Sequence, residues 1–100
     1  MGQPLDPTVP DGDFIRALKA LADPTRFRMV QEIAAAGELS CGEVAERFDV
    51  SQPTVSHHLV VLKDIGIVTM RPDGVMRWHA LNPDALVAMN RALALGQEAH

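Results

Sequence analysis

Two helix-start signals that follow one another closely in the middle of the chain constrain its fold more than any other feature. Ser40 and Glu43 have the spacing of a capping box, in which each side chain accepts a hydrogen bond from the backbone N–H group of the other residue. Ser51 is a second cap, and Pro53 is tolerated in the first turn of the helix that follows. These signals predict a short helix, a tight turn and a longer helix that ends at Gly66, which is the arrangement of a helix-turn-helix.

Two more helices are predicted ahead of this pair. Apolar residues recur at helical spacing from Phe14 to Ala22. Asp23 can cap a new helix, Pro24 suits its first position because it has no N–H group to leave unpaired, and Gly37 is a natural stop. The apolar stripe predicted for this second helix consists of Phe27, Val30, Ile33 and Ala34.

A β-hairpin is predicted after the longer helix. Residues 67–70 are β-like in type, residues 72–74 have the chemistry of a turn, and a return strand fits residues 75–81. A helix-turn-helix that is followed by a hairpin is a winged helix-turn-helix. We therefore predict a mainly α fold with a β-hairpin wing.

The two ends of the chain indicate an arm and a partner surface. Three prolines within residues 1–11 predict a flexible N-terminal arm, so the winged helix-turn-helix domain is predicted to span residues 12–97. The last helix begins at Pro83 and is more apolar than a lone domain of this size needs. We expect it to pair with the first helix in a two-fold homodimer. Its apolar stripe is Leu86, Met89 and Leu93, widened by Ala85, Ala88, Ala92 and Ala94.

The longer helix of the pair carries the residues that point to DNA. In a helix-turn-helix the second helix enters the major groove with its N-terminal residues next to the base edges. Gln52 can bond adenine through two hydrogen bonds, and His57 can donate to a phosphate or a guanine. Each of these residues, taken alone, is equally well an ordinary polar residue of a solvated helix. The predicted contacts with double-stranded DNA are Ser51, Gln52, Pro53, Thr54, Ser56, His57, Lys63, Arg71 and Arg77.

The overall charge raises the main alternative. The net charge is −4, whereas DNA-binding domains usually carry a basic surface. The wing is locally basic, because Arg71 and Arg77 outnumber Asp73. Val60 is apolar and is predicted to face outward, so it either removes a phosphate contact or touches a thymine methyl group. The alternative is a winged helix that binds protein rather than DNA; if DNA is bound, we expect a weak dependence on salt.

Three segments together resemble the ArsR family of bacterial repressors. They are Asp23-Pro24-Thr25-Arg26, the run from Ser51 to Leu59 with Leu62, and Gly66-Ile67-Val68, within a resemblance that covers about Phe14 to Leu86. The resemblance implies a homodimeric winged-helix repressor that leaves its operator when an inducer binds, with dimer contacts through the first and last helices. Such a dimer fits a near-palindromic operator. The position of Val60 is often basic in that family, so this chain departs from the pattern there.

Neither of the metal-site patterns that the resemblance suggests is met. Cys41 is the only cysteine, and a single thiolate is a weak site for a soft metal; residues 83–99 contain no histidine. We therefore predict no metal and no cofactor. Cys41 at a helix start is either a thiol with a lowered pKa that responds to oxidants or a small packed residue. His58 lies on the predicted buried stripe, where we expect a hydrogen-bonded structural role.

Other classes of protein find little support in the sequence. No apolar run approaches the roughly 18 residues of a membrane span, and the N-terminus lacks the pattern of a signal peptide. The lone cysteine cannot form an internal disulfide, so these features together favour the cytoplasm. No catalytic pairing, phosphate-binding glycine loop or metal motif is present, and we predict no enzymatic activity.

Overall fold

Five helices and a three-stranded antiparallel sheet make up residues 12–98, the part of the chain that the computed structural model describes; side chains are described for residues 14–91. In chain order the elements are α1 (Gly12–Leu21), α2 (Pro24–Ala36), β1 (Leu39–Ser40), α3 (Cys41–Arg47), α4 (Gln52–Asp64), β2 (Val68–Asp73), β3 (Met76–Leu81) and α5 (Pro83–Glu98). The predicted arm, residues 1–11, lies outside the described part. The order of the elements confirms the prediction of a mainly α fold with a β-hairpin wing.

The helix starts lie where the sequence places them. A carboxylate oxygen of Asp23 accepts hydrogen bonds from the backbone N–H groups of Thr25 at 2.8 Å and Arg26 at 3.1 Å, which caps α2. At α3 both bonds of the capping box form: Ser40 Oγ accepts from the Glu43 N–H at 3.1 Å, and Glu43 Oε1 accepts from the Ser40 N–H at 3.0 Å. These short-range bonds confirm the predicted starts of both helices.

The sheet differs from the prediction in two respects. β1 is only two residues long, was not predicted, and pairs with β3, which lies between β1 and β2. The predicted turn is also displaced, because Pro72 and Asp73 continue β2. The loop is formed by residues 74 and 75, where a φ of +62° at Gly74 suits the first position of a two-residue hairpin loop. Pro72 is tolerated in β2 because this strand is an edge of the sheet.

The core lies where α2, α3, α4 and the hairpin meet. Met29 and Ile33 bury one side of α2, and Val55 and Leu62 bury one side of α4. The stripe predicted for α2 was partly wrong, because Phe27 is 47% exposed whereas Met29, which the stripe omitted, is fully buried. Residues 29 and 33 are about one helical turn apart and share a face, whereas residue 27 points well away from residue 29.

The first and last helices contact each other and carry apolar side chains on the outside. Ile15 and Leu18 are exposed on α1, and Leu86 and Val87 are exposed on α5. An exposed apolar face of this kind usually marks a surface that contacts another molecule. This outer apolar face of α1 and α5 is therefore the surface of the described residues best suited to cover another apolar surface.

Asn82 fixes the start of α5. Its side chain accepts a hydrogen bond from the backbone N–H group of Asp84 at 3.1 Å and donates one to the carbonyl oxygen of Gly66 at 2.8 Å, so it links α5 to the end of α4. Of the apolar stripe predicted for this helix, Met89 packs against the core. The side chains of Ala92, Leu93 and Ala94 are not among those that the structure describes. Among residues 12–98, no helix combines the length and hydrophobicity that a bilayer span requires.

Candidate nucleic-acid interface

The helix-turn-helix consists of α3, the turn at residues 48–51, and α4. Ser51 Oγ accepts a hydrogen bond from the backbone N–H group of Thr54 at 3.4 Å, which caps α4. The thiol of Cys41 donates to the carbonyl oxygen of Gln52 at 3.8 Å, and a side-chain carbon added at Gly42 would lie 3.6 Å from Gln52 Nε2. The start of α3 therefore lies directly against the first turn of α4 and positions it.

One face of α4 is open to solvent along the length of the helix. The opposite face is buried against the core through Val55, Leu59 and Leu62. The exposed residues of α4 are Gln52, Pro53, Thr54, Ser56, His57, Val60, Lys63 and Asp64. This open face of α4 includes every residue of the helix that the sequence predicts to contact DNA, and Ser51, which precedes it, is also exposed. Val60 is exposed, as predicted.

Two of the hydroxyl groups on this face are engaged with each other. Ser51 Oγ and Thr54 Oγ1 lie 3.0 Å apart, so their first role is to stabilise the helix start. In contrast, the side chains of Gln52, Ser56 and His57 form no hydrogen bond within the described part of the chain. These three side chains are therefore the polar groups of the first two turns that are available to an external partner.

His58 anchors α4 to the preceding helices. Arg26 Nη1 donates to His58 Nδ1 at 3.3 Å, and because a guanidinium can only donate, this ring nitrogen is the acceptor. Arg26 Nε donates to the carbonyl oxygen of Ala20 at 2.9 Å, and Nη1 lies 3.9 Å from a carboxylate oxygen of Asp23. The predicted structural role of His58 is confirmed: it links α4 to the corner between α1 and α2.

The two arginines of the wing lie on opposite faces of the sheet. Directly paired residues of antiparallel strands share a face, and successive residues alternate between faces. Arg77 and His79 on β3, together with Met70 opposite His79, lie on the face turned toward α4. Arg71 pairs with Trp78 and lies on the other face. Of the two predicted wing contacts, only Arg77 therefore borders the open face of α4.

Arg71 is held by acidic neighbours. Its Nη2 and Nε donate to the two carboxylate oxygens of Glu38 at 2.9 and 3.1 Å, and its Nη1 lies 3.9 Å from Asp73. The hydrogen bond from Arg71 holds the pKa of Glu38 below its ordinary value. The predicted basic character of the wing is thus reduced, because Glu38, which precedes β1 and carries no signal in the sequence, neutralises one of its charges.

Cys41 is a packed thiol rather than an activated one. Burial raises the pKa of Cys41 above its ordinary value, so the thiol is protonated at neutral pH. This corrects the alternative in which the helix start lowers that pKa. Within the described residues, no group of three or more His, Cys, Asp or Glu side chains is placed to hold a metal ion.

Comparisons with known proteins identify the family. Residues 21–71, from the end of α1 into β2, match the family model of a helix-turn-helix domain. The HTH-type transcriptional regulator Rv2034 of Mycobacterium tuberculosis is 46% identical over 78 residues, which are 78% of this chain and 72% of that protein. The crystal structure of an ArsR family transcriptional regulator, RHA00566, has a TM-score of 0.76 and 29% identity and covers 87% of this chain and 89% of that chain. The chain belongs to the ArsR family of transcriptional regulators.

Other similar proteins include a homodimer of known structure and several named repressors. The solution structure of Mb0332 from Mycobacterium bovis is that of a homodimeric winged helix-turn-helix DNA-binding domain; its TM-score is 0.68 at 28% identity, with 82% of this chain and 74% of that chain covered. Relatives at 35% to 42% identity are named repressors, among them SdpR of Bacillus subtilis and arsenical resistance operon repressors of two Staphylococcus species.

Proposed function

We propose that this ArsR family member is a homodimeric transcriptional repressor that binds a near-palindromic operator in double-stranded DNA and leaves it in response to an unidentified signal. The observation that carries the proposal is the open face of α4, which offers Gln52, Ser56 and His57 without partners in the described residues. Relatives named as repressors and the homodimeric DNA-binding neighbour support it. The proposal places the protein in the cytoplasm and assigns it no enzymatic activity, metal or cofactor.

In this proposal α4 lies in the major groove. Gln52 and Ser56 read base edges, and His57 donates to a guanine or a phosphate. Lys63 at the far end of α4 and Arg77 on the wing bind phosphates, which position the helix without reading sequence. The remaining predicted contacts, Ser51, Pro53 and Thr54, form the helix start that faces the groove, where the positive end of the helix dipole favours an approaching phosphate.

Arg71 plays a smaller part in this proposal than the sequence predicts. To reach a phosphate it must leave Glu38, with which it forms an exposed ion pair worth about 0.2–1 kcal/mol. The same acidic neighbour repels the DNA backbone. We therefore assign most of the phosphate binding by the wing to Arg77, for which no carboxylate lies within ion-pair distance in the described part of the chain.

The dimer in this proposal is formed by the outer apolar face of α1 and α5. Burial of Ile15, Leu18, Leu86 and Val87 against the same residues of a second copy gives a two-fold contact. Two copies of α4 would then meet successive major grooves about 34–36 Å apart. This spacing is why we expect the operator to be a near palindrome.

Selection from a pool of random DNA duplexes tests the proposal against its main alternative. A winged helix that binds protein is favoured by the net charge of −4 and by the exposed Val60. If the protein is a repressor, selected duplexes will share a near palindrome and will shift in a gel at both low and moderate salt. If the pool is not enriched even at low salt, where phosphate contacts are strongest, the proposed function is wrong.

Gln52→Ala is expected to weaken binding to the selected operator by roughly 1–3 kcal/mol, the typical value of a bidentate contact with a base. The loss should be smaller on operators altered at the base pair that Gln52 reads, which fluorescence anisotropy on a set of single-base variants would measure. Gln31→Ala is the matched control, because Gln31 is an exposed glutamine on α2. An equal loss on every DNA sequence would place Gln52 on a phosphate instead.

Arg77→Ala is expected to weaken binding to all DNA sequences alike and to reduce the slope of log affinity against log salt by about 0.9 for each protomer. Arg71→Ala should reduce the slope by much less, because Glu38 already neutralises that guanidinium. Titrations at several salt concentrations measure both slopes. If the two variants give equal reductions, the ion pair with Glu38 does not persist on DNA, and both arginines contact the backbone.

A further inference from the structure

A cleft of about 350 Å³ lies between α4 and the face of the wing that carries Arg77 and His79. This volume is within the range of small-molecule sites, which starts at about 300 Å³. Cys41 at the start of α3 and Ser56 on α4 also line it. Nothing in the proposed reading of DNA requires a cavity here.

One part of the cleft is apolar. Leu59 and Val60 line it from α4, and Met70 lines it from β2. Leu59 is buried and Met70 half-buried, whereas Val60 is 48% exposed. A methionine adapts its side chain to ligands of different shape. An apolar ligand bound here would cover the exposed side of Val60.

The other part of the cleft is positively charged. Lys63 and Arg77 both line it, and within the described residues neither has a carboxylate within ion-pair distance. Arg26, Arg47 and Arg71, in contrast, each pair with an acidic side chain. Two cations on facing walls without a counter-ion favour the approach of an anion.

His79 adds a buried polar atom, Nδ1, that has no hydrogen-bond partner among the described residues. Its side chain also lines the cleft, is only 7% exposed, and its Nδ1 forms no hydrogen bond within the described part of the chain. Burial lowers the pKa of His79. A hydrogen bond with the backbone of Leu39 opposes this shift, and the positive charges of Arg77 and Lys63 add to it, so the pKa lies below its ordinary value and the ring is neutral at neutral pH. Buried polar atoms are rarely left without a partner, and a neutral imidazole can both donate and accept.

We propose that this cleft binds a small organic anion with an apolar body, and that this ligand and operator DNA exclude one another. The anionic group lies between Lys63 and Arg77, and the apolar body lies against Leu59, Val60 and Met70. The exclusion rests on the proposed function, because Lys63, Arg77 and Ser56, which also lines the cleft, are predicted DNA contacts. A ligand there removes the phosphate-binding groups from the DNA.

A metal ion fits the same cleft poorly. Cys41, His79 and the thioether of Met70 are the side chains there that could ligate one, and a structural metal site needs about four ligands. The Cys41 thiol is protonated and already donates to the carbonyl oxygen of Gln52. Lys63 and Arg77 would repel a cation. The chemistry of the walls therefore selects an anion.

Titration with octanoate tests the site without any DNA. Octanoate has a carboxylate and an apolar chain, 1-octanol has the chain alone, and inorganic phosphate has the charge alone. Two-dimensional NMR of the full chain should show saturable shifts of the Met70 methyl group and the His79 ring with octanoate. Binding should be at least about tenfold weaker for octanol and for phosphate, as expected when one charge-assisted contact or the apolar contact is lost.

Variants then locate the site. Arg77→Gln and Lys63→Gln should each weaken octanoate binding about tenfold. Arg28→Gln is the control, because Arg28 lies on α2 over the ring of Phe48, 5.2 Å from its centroid, and does not line the cleft. Octanoate binding that is insensitive to Arg77→Gln and Lys63→Gln would overturn the proposal. Phosphate that binds as tightly as octanoate would also overturn it, because the cleft would then hold a DNA phosphate.

Competition with DNA tests the second half of the proposal. At about ten times its own Kd, octanoate should lower the affinity for the selected operator at least about tenfold, while octanol at the same concentration should not. A ternary complex with unchanged operator affinity would overturn the exclusion. If the protein binds no operator at all, the proposed function fails on its own, and the octanoate titration still decides whether the cleft is a ligand site.

Discussion

A Leu86→Glu variant is expected to be monomeric at micromolar concentration and to bind the operator roughly 10²–10⁴-fold more weakly than the unaltered chain, because the second half-site would no longer be held by a linked recognition helix. Leu86 is 43% exposed on α5, a helix that contacts α1, so the glutamate does not enter the core. In a dimer, however, it would bury a charge opposite the same charge of the partner copy.

Sedimentation equilibrium and a mobility shift on the same samples measure this effect. Gln31→Glu is the control, because it adds the same charge at an exposed position of α2. It should remain dimeric and keep its affinity. The thermal melting of both variants by circular dichroism shows whether the fold is retained. A Leu86→Glu protein that remains dimeric and binds normally would place the dimer contact somewhere other than the outer face of α1 and α5.

A Leu62→Ala variant is expected to lose about 2–5 kcal/mol of unfolding free energy. Leu62 is fully buried at the point where α4 meets the rest of the core, and its truncation leaves a cavity under the recognition helix. Val60→Ala, two residues earlier on the same helix but 48% exposed, should change the unfolding free energy by less than about 0.5 kcal/mol. Comparing the two variants therefore separates the effect of burial on the unfolding free energy from that of helix propensity.

Urea denaturation of both variants measures the difference, with the protein concentration held constant because the stability of a dimer depends on it. A loss below about 1 kcal/mol for Leu62→Ala would mean that the surrounding side chains collapse into the space. If Val60→Ala were the more destabilising of the two, then α4 would be rotated about its axis, and its assigned open face would be wrong.

The helix starts could be predicted because the interactions that set them are local. Asp23, Ser40 and Ser51 each bond to backbone groups two or three residues away, so a short stretch of sequence contains all that the structure uses. The same holds for the open face of α4, which follows from helical periodicity once Val55 is placed in the core. These local rules gave the helix-turn-helix and its predicted DNA-facing residues.

What could not be predicted depends on residues far apart in the chain. β1 exists only because β3 lies beside it, and its two residues carry no strand signal of their own. Arg71 and Glu38 are 33 positions apart, so nothing near Arg71 shows that its charge is taken. Arg71 and Arg77 lie on opposite faces because of the register of the hairpin. That register could not be predicted, because the sequence placed the turn at residues 72–74 instead of residues 74 and 75. The cleft with His79 requires α4 and the wing to be placed together.

Under the proposed function, the ion pair between Arg71 and Glu38 would allow the attraction of this protein for polyanions and its choice of base sequence to change independently. Glu38 is not part of the hairpin or of α4, and the positions that would read bases do not depend on it. Substitution at position 38 can release or hold one positive charge on the outer face of the wing. If the proposed function holds, substitution of a single residue outside the proposed interface changes the general attraction to DNA, while the open face of α4 is left unchanged.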